Sequence, residues 1–178
     1  GNIRSMRRRE YIAGGVGLAA VLAGGAYVSL GSGGESTRRV ESVRVDTFEM
    51  PGSPGGTIRV PAQEGVTVLD LFSVGCLACV DQVENLRQVR EDTGEGVHFV
   101  SLHPEGLADA DDPDRVRQFW ADHGGSWPVG LDPNDHFRRA FEPELFPFTA
   151  VFRPDGQVTF AESGLTAPAT LRSAIREA

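Results

Sequence analysis

Apolar and polar positions change their period along this chain, and the changes mark its elements. Residues 43–48 (VRVDTF) alternate, the pattern of a half-buried strand. Residues 51–56 (PGSPGG) read as a turn cluster, with a short strand at 57–60 after it. Residues 66–72 (VTVLDLF) are nearly all apolar and of strand-forming types, as in a central strand covered on both faces. Val80, Val83, Leu86 and Val89 then recur at helical spacing, and the helix stops near Thr93 and Gly94. Residues 97–102 predict the next strand. Val116, Phe119 and Trp120 predict a helix whose start is capped by the acids of 109–114. A short strand at 127–132 and a short helix at 134–141 follow. Two strands, 148–152 and 157–160, flank the hairpin turn Arg153-Pro-Asp-Gly156, and a helix over 166–177 closes the chain. Strand–helix alternation followed by a hairpin and a final helix predicts an α/β fold, a mixed central sheet with helices on both faces.

Charge divides the chain. The 178 residues carry a net charge of -8, and every basic residue other than histidine is arginine. Arg4, Arg7, Arg8 and Arg9 stand at the front; beyond Gly34 there are 13 arginines against 24 acids. Such an acidic surface argues against a nucleic-acid partner. The basic segment 1–11 leads into an uncharged, Gly- and Ala-rich run at 12–30, the layout of an export signal or a membrane anchor helix. Arg8-Arg9-Glu10-Tyr11-Ile12 resembles the twin-arginine export motif. Arginines stay on the cytoplasmic side, so the rest of the chain is expected outside the cytoplasm, tethered or exported. Residues 31–42 read as a flexible linker and 43–178 as the folded domain.

The two cysteines, Cys76 and Cys79, stand where the central strand feeds a helix. Free backbone N–H groups and the dipole at a helix start favour a thiolate at Cys76. Cys79, three residues on, shares its helical face and is expected to be more buried. Cys76 then attacks and Cys79 resolves the mixed disulfide. A structural staple closing so short a loop stabilises little. A zinc site with His98 and His103 is opposed by their spacing, which sends them to opposite faces of a strand. His98 reads more plainly as a packed strand residue and His103 as a loop residue beside Pro104. Haem attachment is excluded because Val80, not histidine, follows Cys79. No metal and no cofactor is expected. Asp70 lies within the apolar strand, six residues before Cys76. Buried there, its carboxyl would be costly to ionise and could take the proton of Cys79. The plainer alternative is an aspartate near a strand end that reaches water. Pro147 precedes a strand. Only about 5–6% of X-Pro bonds are cis, so these residues alone suggest a trans turn.

VTVLDLFSVGCLAC, VHFVSLHPE, WPVGLDPNDHFRRAF and FPFTAVFRPDGQV together resemble the thioredoxin-like thiol–disulfide oxidoreductases of the TlpA/ResA type. The resemblance covers the whole of 43–178. It implies that Pro147 is cis and packs against Cys76 and Cys79. It also implies that the backbone of Phe146 pairs with an extended client peptide, with Gly75 and Leu77 beside it. Its expected partners are protein thiol or disulfide clients and a membrane electron donor. Three positions depart from the family pattern: Gly75 stands for its tryptophan, Ala78 for its proline, and Gln82 for a glutamate that tunes the thiols. Two other activities share the fold. A copper-handling assembly protein would draw on His136 or Met50, and a thiol peroxidase on Ser73. Both match the chain less well than disulfide reduction.

Overall fold

The computed structural model describes residues 38–107 and 112–178. The basic segment, the apolar run and most of the segment read as a linker lie outside the described residues. Among the described residues, no helix is long and apolar enough to cross a membrane. The elements are β1 (Val43–Met50), β2 (Ser53–Val60), β3 (Val66–Leu71), α1 (Leu77–Glu91), β4 (Val97–Pro104), α2 (Pro113–His123), β5 (Val129–Asp132), α3 (His136–Phe141), β6 (Phe148–Phe152), β7 (Val158–Ser163) and α4 (Pro168–Glu177). They form one seven-stranded sheet in the order β2-β1-β5-β4-β3-β6-β7. β3, β4 and β5 run parallel, and the remaining pairs are antiparallel.

The apolar run of β3 takes its central place. Val68, Leu69 and Leu71 are all buried, and they divide by parity between two cores. Val68 and Phe72 join the core under α1, α2 and α4, with Val83, Leu86, Phe119, Trp120 and Leu171. Leu69 and Leu71 join the opposite core with Leu102, Phe148, Phe152 and Phe137 of α3. Helices therefore cover both faces, as the alternation predicts.

Several boundaries differ from the sequence reading, each for a local reason. β2 begins at Ser53 and takes in Pro54-Gly-Gly56, which reads as turn. It is an edge strand, where a proline's missing N–H breaks no ladder. The turn shrinks to Pro51 and Gly52. Gly52 has φ +85, and a Cβ there would lie 2.3 Å from the carbonyl oxygen of Gly125. Arg39 bridges Gln157, and the Val40 N–H donates to the Gly156 oxygen at 2.9 Å, so order begins before Val43. α3 is preceded by a 3-10 turn over Pro133–Asp135. The buried Asp132 carboxylate accepts the N–H groups of Phe137 (3.0 Å) and Arg138 (2.9 Å). Burial pushes that carboxyl above its ordinary value, against the pull of the two N–H groups. The readings of the two strand histidines are reversed. His98 is exposed, whereas His103 is fully buried within β4, edge-on to Phe72 at 5.7 Å. Their odd spacing fixes opposite faces but not which face is covered.

Candidate active site

β3 ends at Leu71, and Phe72 still donates its N–H to the Leu102 oxygen at 3.1 Å. The chain then turns through Ser73, Val74 and Gly75. Gly75 has φ +85 and open space where a Cβ would be, so the backbone conformation, not crowding, asks for glycine. Cys76 is the N-cap of α1, and its sulfur accepts the Cys79 N–H at 3.1 Å. No acidic residue lies in the first turn to oppose the helix dipole. Cys76 and Cys79 are joined as a disulfide with Cα atoms 5.3 Å apart. Cys76 is half-buried, Cys79 is 1% exposed, and Leu77 between them is 85% exposed.

Parity places Asp70 on the α1 face of the sheet, between Val68 and Phe72. It is 1% exposed, so the water-reaching alternative does not hold. The Ser101 hydroxyl donates to Asp70 Oδ2 at 2.8 Å, and Trp127 Nε1–H donates to Ser101 Oγ at 3.0 Å. Burial pushes the Asp70 carboxyl up from 3.8 to about 7, with the Ser101 bond pulling the other way. Asp70 pairs across the sheet with Ser101 on one side and Thr149 on the other. Asp70 Oδ1 and Thr149 Oγ1 are both buried with no hydrogen-bond partner among the described residues.

The Phe146–Pro147 bond is cis. Leu71 pairs with Phe148, so Pro147 faces the segment that leaves β3 for Cys76. The Gly164 N–H donates to the Pro147 oxygen at 2.7 Å. Phe146 and Cys76 both lie at the fringe of the same core. Gln82, one turn beyond Cys79, is fully buried. Its Oε1 accepts the Thr166 N–H at 2.8 Å, and Asn85 donates to the Thr166 oxygen at 3.1 Å. The helix that carries the cysteines is thereby tied to the segment entering α4.

The fold thus gathers Asp70, Gly75, Cys76, Leu77, Cys79, Phe146 and Pro147 at one end of β3. It adds Ser101 and Trp127, which sequence reasoning did not single out, and it buries Gln82, noted above only as a departure from the family pattern. Ser101 left a signal, a polar residue inside the apolar run of β4. Of the residues the alternative activities draw on, Ser73 lies in the turn before Cys76, whose N–H donates to the Ser73 oxygen at 3.2 Å, and Met50 packs at the edge of the same core. His136 bonds the Glu41 oxygen at 3.2 Å, and the Ser73 hydroxyl lies 3.4 Å from the neighbouring Val74 oxygen. Among the described residues, no three of His, Cys, Asp or Glu are grouped to hold a metal.

The chain is 25% identical over 101 residues to the thiol-disulfide oxidoreductase YkuV of Bacillus subtilis, a match spanning 57% of this chain and 68% of that protein. Its fold is similar to that of a putative thiol:disulfide interchange protein DsbE from Chlorobium tepidum (TM-score 0.65, 14% identity, 79% of this chain and 95% of that one). It is also similar to the exposed lipoprotein thioredoxin Etrx1 of Streptococcus pneumoniae (TM-score 0.64, 14% identity, 78% and 100%). These likenesses agree with the thioredoxin-like fold and with the TlpA/ResA resemblance. Residues 44–174 match the Redoxin family model, and with its Cys-x-x-Cys disulfide at a helix start the chain belongs to the Redoxin family.

Proposed function

We propose that this chain is an extracytoplasmic thiol–disulfide oxidoreductase that reduces disulfides in client proteins. The observation that carries the reading is the unequal access to its two sulfurs. Cys76 is reachable at a helix N-terminus, and Cys79 is 1% exposed behind it. In the reduced chain, the Cys76 thiolate attacks one sulfur of a client disulfide and expels the other as a thiolate. Cys79 then attacks Cys76 Sγ in the mixed disulfide, and the second client thiolate leaves. Two electrons pass from the dithiol to the client. The Cys79 proton passes to the Asp70 carboxylate, which burial adapts to exchange protons near neutral pH. Phe146 presents its backbone to an extended client strand, the cis Pro147 holds that backbone in place, and Gly75 and Leu77 contact the client beside Cys76.

The reducing direction is supported by the residues between the cysteines, Leu77 and Ala78, neither of which adds positive charge to stabilise a thiolate strongly. YkuV is named a thiol-disulfide oxidoreductase, and Etrx1 is an exposed lipoprotein. The exposed lipoprotein, together with the arginine-led apolar run at 12–30, supports a tethered or exported chain. A membrane dithiol donor would then restore the reduced state.

Insulin reduction tests the direction. With excess dithiothreitol, the chain is expected to accelerate precipitation of the insulin B chain. Failure to do so, combined with rapid oxidation of reduced ribonuclease by the disulfide form, would make it an oxidase instead.

A further inference from the structure

Among the described residues, the exposed large apolar side chains are Leu77 (85%), Leu145 (52%) and Leu165 (51%). They lie far apart in sequence, yet the fold sets Leu77 beside the disulfide and Leu145 and Leu165 beside the cis Pro147 and the segment tied to α1. Leu77 follows Cys76. Leu145 stands two residues before the cis Pro147. Leu165 sits between Gly164, whose N–H is bonded to the Pro147 oxygen, and Thr166, whose N–H is bonded to Gln82 on α1. A Cβ on Gly164 would meet Leu145 Cδ1 at 3.4 Å, so Leu145 and the Leu165 segment are neighbours. Beside Cys76 a cleft of about 300 Å3 opens between Leu77 and α2, with the ridge of Leu145 and Leu165 outside its lining. It is lined by the apolar Leu77, Val80 and Phe119, with Arg115, Gln118 and Asp122 from α2.

The charges around the two flanks differ. The cleft carries both signs, Arg115 and Asp122. Beside the ridge stand the exposed Glu142, Glu144 and Glu162; the Glu144 N–H donates to Ser163 Oγ, next to Glu162. Among the described residues, none of these three glutamates is in an ion pair. Exposed leucines gathered at a reactive centre offer apolar area to whatever docks there, and an acidic border favours a basic partner.

We infer that this face selects client segments bearing an apolar side chain on each side of the reactive cysteine and a basic residue toward Glu142, Glu144 and Glu162. The inference rests on the oxidoreductase reading and names its clients by chemistry. One apolar side chain enters the cleft, and the other lies on Leu145 and Leu165. The client sulfur is thereby held over Cys76.

Peptides that carry one cysteine as a mixed disulfide with 5-thio-2-nitrobenzoate test this. Attack by reduced Cys76 forms the Cys76–peptide disulfide and releases the coloured thiolate; Cys79 then displaces the peptide thiolate. Each rate is divided by that of the same mixed disulfide of 2-mercaptoethanol, which has no flanking residues. A peptide with leucines on both sides of cysteine and an arginine at the ridge end is expected to exceed its serine-flanked counterpart by about tenfold. Exchanging its arginine for glutamate should lower the ratio about threefold, an effect that shrinks with added salt. In the Leu145→Ser/Leu165→Ser double variant the leucine preference should fall. Equal ratios for all peptides would overturn the inference and leave the oxidoreductase reading standing. No cleavage even of the mercaptoethanol compound would overturn both.

Discussion

Cys76→Ser is expected to abolish disulfide exchange, by more than about a thousandfold, and Cys79→Ser is expected to stall it halfway. The asymmetry follows from burial. A client disulfide approaching from solvent meets the half-buried Cys76 and cannot reach Cys79, which is 1% exposed. Without Cys76 there is no accessible nucleophile at the helix start. Without Cys79 the first attack still proceeds, but nothing displaces the client. Cys79→Ser should therefore accumulate a covalent client adduct, visible as a band shift on a non-reducing gel and released by dithiothreitol. Cys76→Ser should give no adduct. If instead Cys76→Ser traps clients and Cys79→Ser does not, the order of attack is reversed.

Asp70→Asn is expected to raise stability at alkaline pH while slowing the resolving step. The folded-state carboxyl lies at about 7 against an ordinary 3.8, raised by burial. A raised acid favours the folded state fully only below its unfolded value, and that advantage is lost as pH climbs through the folded one. Above about pH 7 the parent chain carries a buried, ionised carboxylate with only Ser101 as a hydrogen-bond donor. Asparagine removes the charge, so urea unfolding of the oxidised variant should show a gain that grows between pH 4 and pH 8, up to about 4 kcal/mol. The variant also lacks a proton acceptor for Cys79. Its second step, read by rapid-quench trapping of the mixed disulfide, should slow about a hundredfold near pH 7. A pH-independent stability difference would mean that Asp70 is not held protonated by burial.

The candidate positions were legible where residue type and local pattern coincide. Two cysteines at a strand-to-helix junction and an aspartate in an apolar strand stand out in the sequence, but it took the packing of α1 over β3 to show that Asp70 is buried rather than reaching water. The cis bond at Pro147 is different: nothing in Phe146-Pro-Phe148 distinguishes it from a trans turn, and only the family resemblance supplied it. Ser101 supports Asp70 from 31 residues away, through a parallel register that no local window contains. Trp127 reaches Ser101 the same way. His98 and His103 were misread because strand parity gives relative faces, and the covering helices decide which face is inside. Leu145 and Leu165 look like ordinary loop residues until the bond between Gly164 and Pro147 brings their segments together.

A redox titration of the full chain against glutathione, with thiol alkylation counted at each point, tests the reading most directly. The result expected is a single reversible two-electron transition, about 30 mV per decade, with Cys76 and Cys79 alkylated together only in the reduced form. Its midpoint should lie nearer about -270 mV than about -120 mV, on the reducing side of the known range. A disulfide that stays closed across that range, or two thiols that bind a stoichiometric metal and never pair, would contradict it.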